Sequence, residues 1–376
     1  MKIVGIIIES NPFHKGHEYL IKKVMSELKP DLMVALSSGY FTMRGEISLL
    51  NKINKTKILL NSGFDLVIDF PLYDLLNSSD YFGENALRIL NDVGITDLAF
   101  GIEHENISIL ENIVNLMDSS SFNDSFREKL NTNISYKKAF EETLKSMTNL
   151  DQNLIEITMK SNNTLALSYI KAIKKYPHIK PYAIKRYGNF EENTSLESFP
   201  SGTALRNNYL QNKNISKYLP YDTSLLSDLS LYDIRVKTLF DSLTLKKANH
   251  FQELLHINEG IENYILKNYD FKLSVDENLN NLSNKTYSKS RLRRTLLSMI
   301  LEIPKNINTN QQTIRILGFT KKGESYLKHI NGNLIMNIAK QSNDIIQLEL
   351  RSSKLYDILT NQSNYKEEFK FPLKGE

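Results

Sequence analysis

Hydrophobic positions change period repeatedly along the first two hundred residues. Lys2–Ile8 (KIVGIII) is an almost unbroken β-branched run, the pattern of a strand buried on both faces. HEYLIKKVMSELK follows, and there Tyr19, Leu20, Val24 and Leu28 recur as one helical stripe. Short apolar runs return at Asp31–Ser38, Asp65–Phe70 and Asp97–Glu103. Between them, LLNKINKTKILLNSG and YFGENALRILNDVG read as helices closed by Gly63 and Gly94. After a further helix, TLALSYIKAIKKY, the run HIKPYAIKR reads as a fifth strand. Strand–helix alternation of this kind predicts an α/β fold, a doubly wound, Rossmann-like parallel sheet with right-handed crossovers.

Residues 106–161 break the alternation with helical, Asn- and Ser-punctuated sequence and read as an insertion in the sheet domain. SGTALRNNYL opens one more helix, which places the end of an α/β domain at residues 1–212. Residues 213–376 read as a second, all-α domain, through LYDIRVKTLFDSL, EGIENYILKN, KSRLRRTLLSMIL, GESYLKHI and LELRSSKLYDIL.

Composition narrows the setting. The chain has 376 residues, 41% hydrophobic and 24% charged, ordinary values for a globular protein. It has no cysteine, which excludes a disulfide-linked partner, thiolate metal sites and cysteine nucleophiles, and fits a reducing compartment. No apolar run approaches the roughly 20 residues of a membrane span. MKIVGIIIES runs into NPFHKGH without a small-residue cleavage site, so it reads as a strand rather than a signal peptide, and the expected location is the cytoplasm. The net charge of +4 permits a polyanionic partner without requiring one.

The candidate chemistry lies in the first turn. In an open parallel sheet, ligands bind beyond the carboxyl ends of the strands, and the turn after the first strand holds Asn11, Pro12, Phe13, His14, Lys15, Gly16 and His17. A helix N-terminus attracts phosphate, two imidazoles can donate to phosphate oxygens, and a glycine between them permits close approach. A metal site is a poorer reading, because no third histidine or carboxylate partner lies nearby in sequence. His14-Lys15-Gly16-His17 resembles the H-x-G-H signature of the nucleotidyltransferase superfamily. SGTALR resembles a second element of that superfamily, I-S-S-T-x-x-R, whose hydroxyls hold the outer phosphates. Ser201, Thr203 and an arginine match, and Gly202 replaces the second serine. A serine or threonine there is equally a helix cap.

Further stretches narrow the resemblance: SSGYFTMRGE, NKINKTKILLNSGFDLVIDFP, LAFGIE, SNNTLALSYIKAI, KRYG, EGIENYI, YSKSRLRRTLLSMIL, IRILGFTKKGE and LRSSKLYDI. With GIIIESNPFHKGH they resemble the bacterial tRNA(Met) cytidine acetate ligases over nearly the whole chain. The resemblance implies activation of acetate by ATP, with Mg2+ as its counterion, to acetyladenylate. It then implies acetyl transfer to the exocyclic amine of the wobble cytidine of elongator tRNA(Met). It implies catalytic roles for His14 and His17. It places ATP on Ile7, Ile8, Glu9, Ser10, Asn11, Pro12, Phe13, His14, Lys15, Gly16, His17, Glu18, Tyr19 and Leu20, with Gly101, Asn162, Arg186, Ser201 and Thr203. Arg44 and Lys52 are candidates for acetate or phosphate. The family's usual Asn and Gln are Tyr40 and Met43 here, and its usual Trp and Arg are Ile53 and Lys55.

KTYSKSRLRR has five basic residues and no acid. Lys289, Arg293 and Lys285 on one helical face, with Arg291 and Arg294, make a candidate tRNA surface. Lys321, Lys322, Arg351 and Lys354 are lesser candidates. Two rival functions remain from the residues alone. One is an adenylyltransferase for a small molecule of the pantetheine-phosphate or nicotinate-mononucleotide kind. The other is an RNA-binding protein without catalysis.

Overall fold

The computed structural model describes residues 1–77, 79–103, 106–132, 134–186, 200–307 and 313–375. The first half alternates as the hydrophobic pattern requires. β1 (Ile3–Ile8) leads to α1 (Lys15–Leu28), β2 (Leu32–Ser38), α2 (Lys52–Asn61) and β3 (Leu66–Phe70). A short α3 (Leu72–Leu75) and α4 (Ser79–Val93) precede β4 (Asp97–Ile102). The insertion supplies α5 (Ile107–Met117), α6 (Ser120–Asn131), α7 (Tyr136–Met147) and α8 (Gln152–Thr158). Then come α9 (Ser161–Ile173), β5 (Lys180–Lys185) and α10 (Gly202–Leu210).

Strands β1 to β5 run parallel in the spatial order β5-β4-β1-β2-β3, in register Val4 beside Met33 and Val34 beside Leu66. β1 to β4 are buried almost throughout, as continuous apolar runs demand, whereas the edge strand β5 is largely half-buried with exposed ends. Right-handed crossovers from β1 to β2 to β3 put α1 and α2 on one face. The return from β3 to β4 reverses direction, so α4 and α9 cover the other face. The carboxyl ends of β1, β4 and β5 meet at one edge, at the reversal where ligand sites form in such sheets.

Helix α1 differs from its expected stripe. Its buried residues are Ile21 and Val24, with Leu28 at the rim, whereas Tyr19 and Leu20 turn toward a cavity at the sheet edge.

The second half is largely helical: α11 (Tyr232–Leu243), α12 (Ile261–Asn268), α13 (Val275–Leu282) and α14 (Lys289–Leu301). It is not all-α. β6 (Thr313–Phe319) pairs antiparallel with β3 and extends the main sheet. After α15 (Lys321–Tyr326), β7 (Asn333–Ile335) pairs with β6. After α16 (Asp344–Thr360) and α17 (Asn364–Glu367), so does β8 (Leu373–Lys374). The expected all-α second domain is therefore corrected. TIRILGF is as apolar as the early strands, but its partner lies some 250 positions upstream, beyond the reach of local periodicity.

A buried charge cluster locks this join. Lys52 Nζ reaches Asp69 at 2.9 Å and Glu349 at 3.0 Å, and Arg315 of β6 reaches Glu368 at 2.6 Å and Asp69 at 3.2 Å. The Tyr40 hydroxyl donates to Glu368 at 2.5 Å. Burial opposes a charge on Lys52, but Asp69, Glu368 and Glu349 outweigh it and raise its pKa. Lys52 is 1% exposed and does not line the sheet-edge cavity, so the expectation that it holds acetate or phosphate is corrected: its charge is spent on the core carboxylates. Among the described residues no helix is long and apolar enough to cross a membrane.

Candidate active site at the sheet edge

The first turn is built by its own side chains. His14 is the N-cap of α1, and its Nδ1 accepts from the Gly16 amide at 3.0 Å. His17 reaches back, its Nδ1 accepting from the His14 amide at 3.2 Å. This is a capping box made of imidazoles instead of Ser and Glu. The rings lie 4.0 Å apart between centroids, and Phe13 stacks on His17 at 5.4 Å. Gly16 is required because a Cβ there would sit 2.8 Å from the His14 ring. The close approach expected at this glycine is thus partly taken up by the imidazole itself.

Because each Nδ1 accepts from a backbone N–H, each neutral ring carries its proton on Nε2. Burial is the main cause that lowers both pKa values. His17, Arg186 and Arg206 reinforce it at His14, and Arg186 and Lys55 bring His17 to about 3. The turn therefore offers two neutral Nε2–H donors beside the positive end of the α1 helix dipole, whose Gly16, His17 and Glu18 amides are themselves paired with His14.

These donors open on a cavity of ≈ 190 Å³. It is lined by Ile6, Ile7, Ile8 and Glu9 of the first strand and its end, by His14, Gly16, His17, Tyr19 and Leu20, and by Met43. Phe82, Phe100, Gly101, Asn162, Leu165, Tyr169, Ile184, Lys185 and Arg186 complete it. Gly101, Asn162 and Arg186, far apart in sequence, are thus brought together. Arg186 Nη1 donates to Asn162 Oδ1 at 2.6 Å, and Asn162 Nδ2 donates to Glu103 at 2.6 Å. Gly101 lies where the Arg186 side chain crosses it, and a Cβ there would lie 3.0 Å from Arg186 Cγ, so the arginine would have to shift. Glu103 and Asn163 did not stand out in the sequence. Asn163 Oδ1 accepts from the Glu103 amide at 2.9 Å and ties α9 to the end of β4. Tyr187 and Gly188 of KRYG lie outside the described residues.

Other residues of the turn act behind the cavity. Asn11 holds the following loop, donating to Ile47 O at 3.0 Å and accepting from the Leu49 amide at 2.9 Å. Ser10 and Pro12 are buried without lining the cavity, and Lys15 and Glu18 face outward, Glu18 pairing with Lys22 at 2.6 Å. Ser201 caps α10 through the Ala204 amide at 3.0 Å, and neither it nor Thr203 lines this cavity. The reach of α10 comes instead from Arg206, which donates to Asn11 O at 2.7 Å, Glu46 at 2.8 Å and Thr203 Oγ1 at 3.1 Å.

Met43 faces this cavity, while Arg44 and Glu46 of the same loop face a second cleft of ≈ 660 Å³. Arg44 donates to Ser161 Oγ at 2.7 Å. The loop is fixed from beneath by Glu9, whose Oε1 accepts from the Met43 amide at 2.6 Å, and by Lys55, whose Nζ donates to Ser38 O and Gly39 O at 3.0 and 2.9 Å. The far wall of the cleft includes Thr203, Arg206, Lys289 and Arg293.

The chain matches the family model described as HIGH Nucleotidyl Transferase over residues 1–370. It is 33% identical to the tRNA(Met) cytidine acetate ligase of Clostridium kluyveri, across 98% of each chain. It is 30% identical to that of Thermosipho africanus, across 96% of this chain and 88% of the relative. The chain belongs to the tRNA(Met) cytidine acetate ligase family. Among solved structures, Thermotoga maritima TmcAL in its apo form covers the whole chain at 25% identity and a TM-score of 0.86. The same protein bound with alpha-thio ATP matches with a TM-score of 0.84.

Within this ligase fold the basic helix needs one revision. α14 begins at Lys289 behind the N-cap Ser288, so Lys285 precedes the helix rather than sharing its face. Lys289 and Arg293 do share a face, both pairing with Asp276, at 2.7 and 3.1 Å, and Arg293 also reaches Glu46 at 3.1 Å. Arg291 pairs with Glu259 at 2.9 Å. Arg294 is turned inward, its Nε buried without a hydrogen-bond partner among the described residues. Leu292, Leu296 and Leu297 pack in the core as their spacing predicts.

Proposed function

We propose that this chain activates acetate with ATP and acetylates the exocyclic amine of the wobble cytidine of elongator tRNA(Met). The observation that carries the reading is the pair of neutral Nε2–H donors on His14 and His17 beside the N-terminus of α1. An acetate oxygen attacks the α-phosphorus, and pyrophosphate leaves with the electrons of the broken P–O bond. The charge that develops on the α-phosphate oxygens is met by donors already in place. ATP brings Mg2+ with it and lies along residues 7–20, toward Gly101, Asn162 and Arg186. Arg44 serves the phosphates or the incoming acid, and Ser201 and Thr203 at the start of α10 lie toward the outer phosphates.

The second step needs positioning above all. The cytidine amine attacks the acetyl carbon, AMP departs, and the amine loses a proton. The cleft behind the Met43–Glu46 loop is the natural entry for that nucleotide, because one loop separates it from the adenylate. Lys285, Lys289, Arg291 and Arg293 supply charge for the tRNA backbone, and the inward-turned Arg294 supports their helix from beneath. The reaction belongs to the cytoplasm, where tRNA and ATP meet.

Acetate-dependent exchange between pyrophosphate and ATP tests the first step, and labelled acetate with elongator tRNA(Met), followed by nucleoside analysis, tests the second. Exchange without acetyl-cytidine would remove the tRNA assignment. Exchange that depends on another acceptor would replace acetate.

A further inference from the structure

The sheet-edge cavity has two unlike halves. On the α1 side it presents the two imidazoles, the N-terminal end of α1 and the Arg186 guanidinium, all suited to a nucleotide. Beneath α4 and α9 its walls are Phe82, Phe100, Leu165 and Tyr169, and Met43 of the loop after β2 also lines the cavity. These rings belong to the core. Phe82 and Phe100 lie 6.2 and 5.5 Å from Tyr169, and Phe82 lies 5.3 Å from Phe70. Gly83 brings the two helices together, since a Cβ there would sit 2.5 Å from the Ser168 carbonyl oxygen.

Two polar groups remain in that half. Among the described residues the Tyr169 hydroxyl makes no hydrogen bond, and the Glu9 carboxyl accepts one, from the Met43 amide, with the charges of Arg44 and Lys55 nearby. Burial raises the pKa of both, so the phenol keeps its proton and the carboxyl gains one more readily than usual. Among the described residues, Met43, Phe82, Phe100, Leu165 and Tyr169 offer a triphosphate no cationic side chain. A small acid does find a place: its carboxylate must reach the α-phosphate beside His14 and His17, so its hydrocarbon end points away from them.

We propose that the apolar half is an acyl pocket, in which Met43, Phe82 and Tyr169 enclose the methyl group of the acid and exclude longer chains. This rests on the acetate-activating reading above and says why the acid is short. The Tyr169 hydroxyl is the donor to the acid carboxylate, with the Glu9 carboxyl beside it. The walls cannot retreat because the core fixes them, and one methylene in such a pocket changes selectivity by about 10- to 200-fold.

The test is acid-dependent pyrophosphate exchange by the full chain with acetate, propionate and butyrate, alongside ATP binding. Wild-type protein should favour acetate over butyrate by about a hundredfold or more. Phe82→Ala and Met43→Ala should each raise the butyrate-to-acetate ratio of kcat/KM by about tenfold, and Tyr169→Phe should raise the KM for acetate more than that for ATP. Met43 lies on a loop and is half-buried, so its variant keeps the test decisive if Phe82→Ala does not fold. Unchanged ratios in variants that fold and bind ATP would overturn the pocket alone. Lost ATP affinity without a shift in acid preference would assign this half to the base instead. A wild-type protein that exchanges with no carboxylic acid would overturn the acetate reading and the pocket with it.

Discussion

The His14 amide donates to His17 Nδ1 at 3.2 Å while His14 Nδ1 accepts from the Gly16 amide, so the backbone dictates the tautomer of both rings. The expected consequence is that donation to ATP comes from Nε2. Imidazole 15N shifts at neutral pH should report two neutral Nε2–H rings. Alanine at either position should cost about 10²- to 10³-fold in adenylate formation, the usual loss for one preorganised donor. Glutamine, whose amide sits near the Nε2 position, should retain more activity than asparagine. Equal loss with both amides would contradict the assignment.

The same burial makes stability depend on pH. An unfolded imidazole takes up a proton below about 6.5, whereas His17 in the fold resists until about 3. Between those values the unfolded chain binds more protons, so stability rises with pH and is lost as pH falls through this window. A histidine that stays neutral loses about 2 kcal/mol between pH 6.5 and 5. Urea unfolding of wild type against His17→Gln across this range should show the variant falling less steeply.

Arg206 joins the turn, the Met43–Glu46 loop and α10 through three acceptors: Asn11 O, Glu46 and Thr203. Arg206→Ala should lower acetate-dependent exchange by about 10- to 100-fold, chiefly by letting the turn and loop shift relative to each other. Arg206→Lys should not restore it, because an ammonium cannot span the forked contacts of a guanidinium. Full exchange by the lysine variant would reduce Arg206 to a point charge.

Lys52 neutralises carboxylates from three distant parts of the chain. Removing one partner of a buried ion cluster costs about 3–5 kcal/mol, so Lys52→Met should lower the urea midpoint far more than it changes the KM for acetate. The reverse pattern would return Lys52 to the ligand site.

For the basic surface, Lys285→Ala and Lys289→Ala should each weaken tRNA binding. Each should flatten the slope of log affinity against log salt by about 0.7 to 0.9. Arg294→Ala should act instead mainly through stability, because its guanidinium is turned inward. A salt slope unchanged by the two lysine variants would move the tRNA surface elsewhere.

Local pattern alone determined the five parallel strands, their crossover helices, the privileged first turn and its two histidines. Those features depend on residues within a few turns of each other, where period and helix-end chemistry are legible. Tertiary structure decided the rest. It brought TIRILGF beside β3, drew Lys52 into the core and placed Arg206 rather than Ser201 against the turn. It also gathered Met43, Phe82 and Tyr169 around one end of the cavity. Each of these joins residues tens to hundreds of positions apart. Long-range burial and charge pairing leave no periodic mark on either partner: a buried lysine and a ligand-binding lysine read alike until the carboxylates that claim one of them are in place.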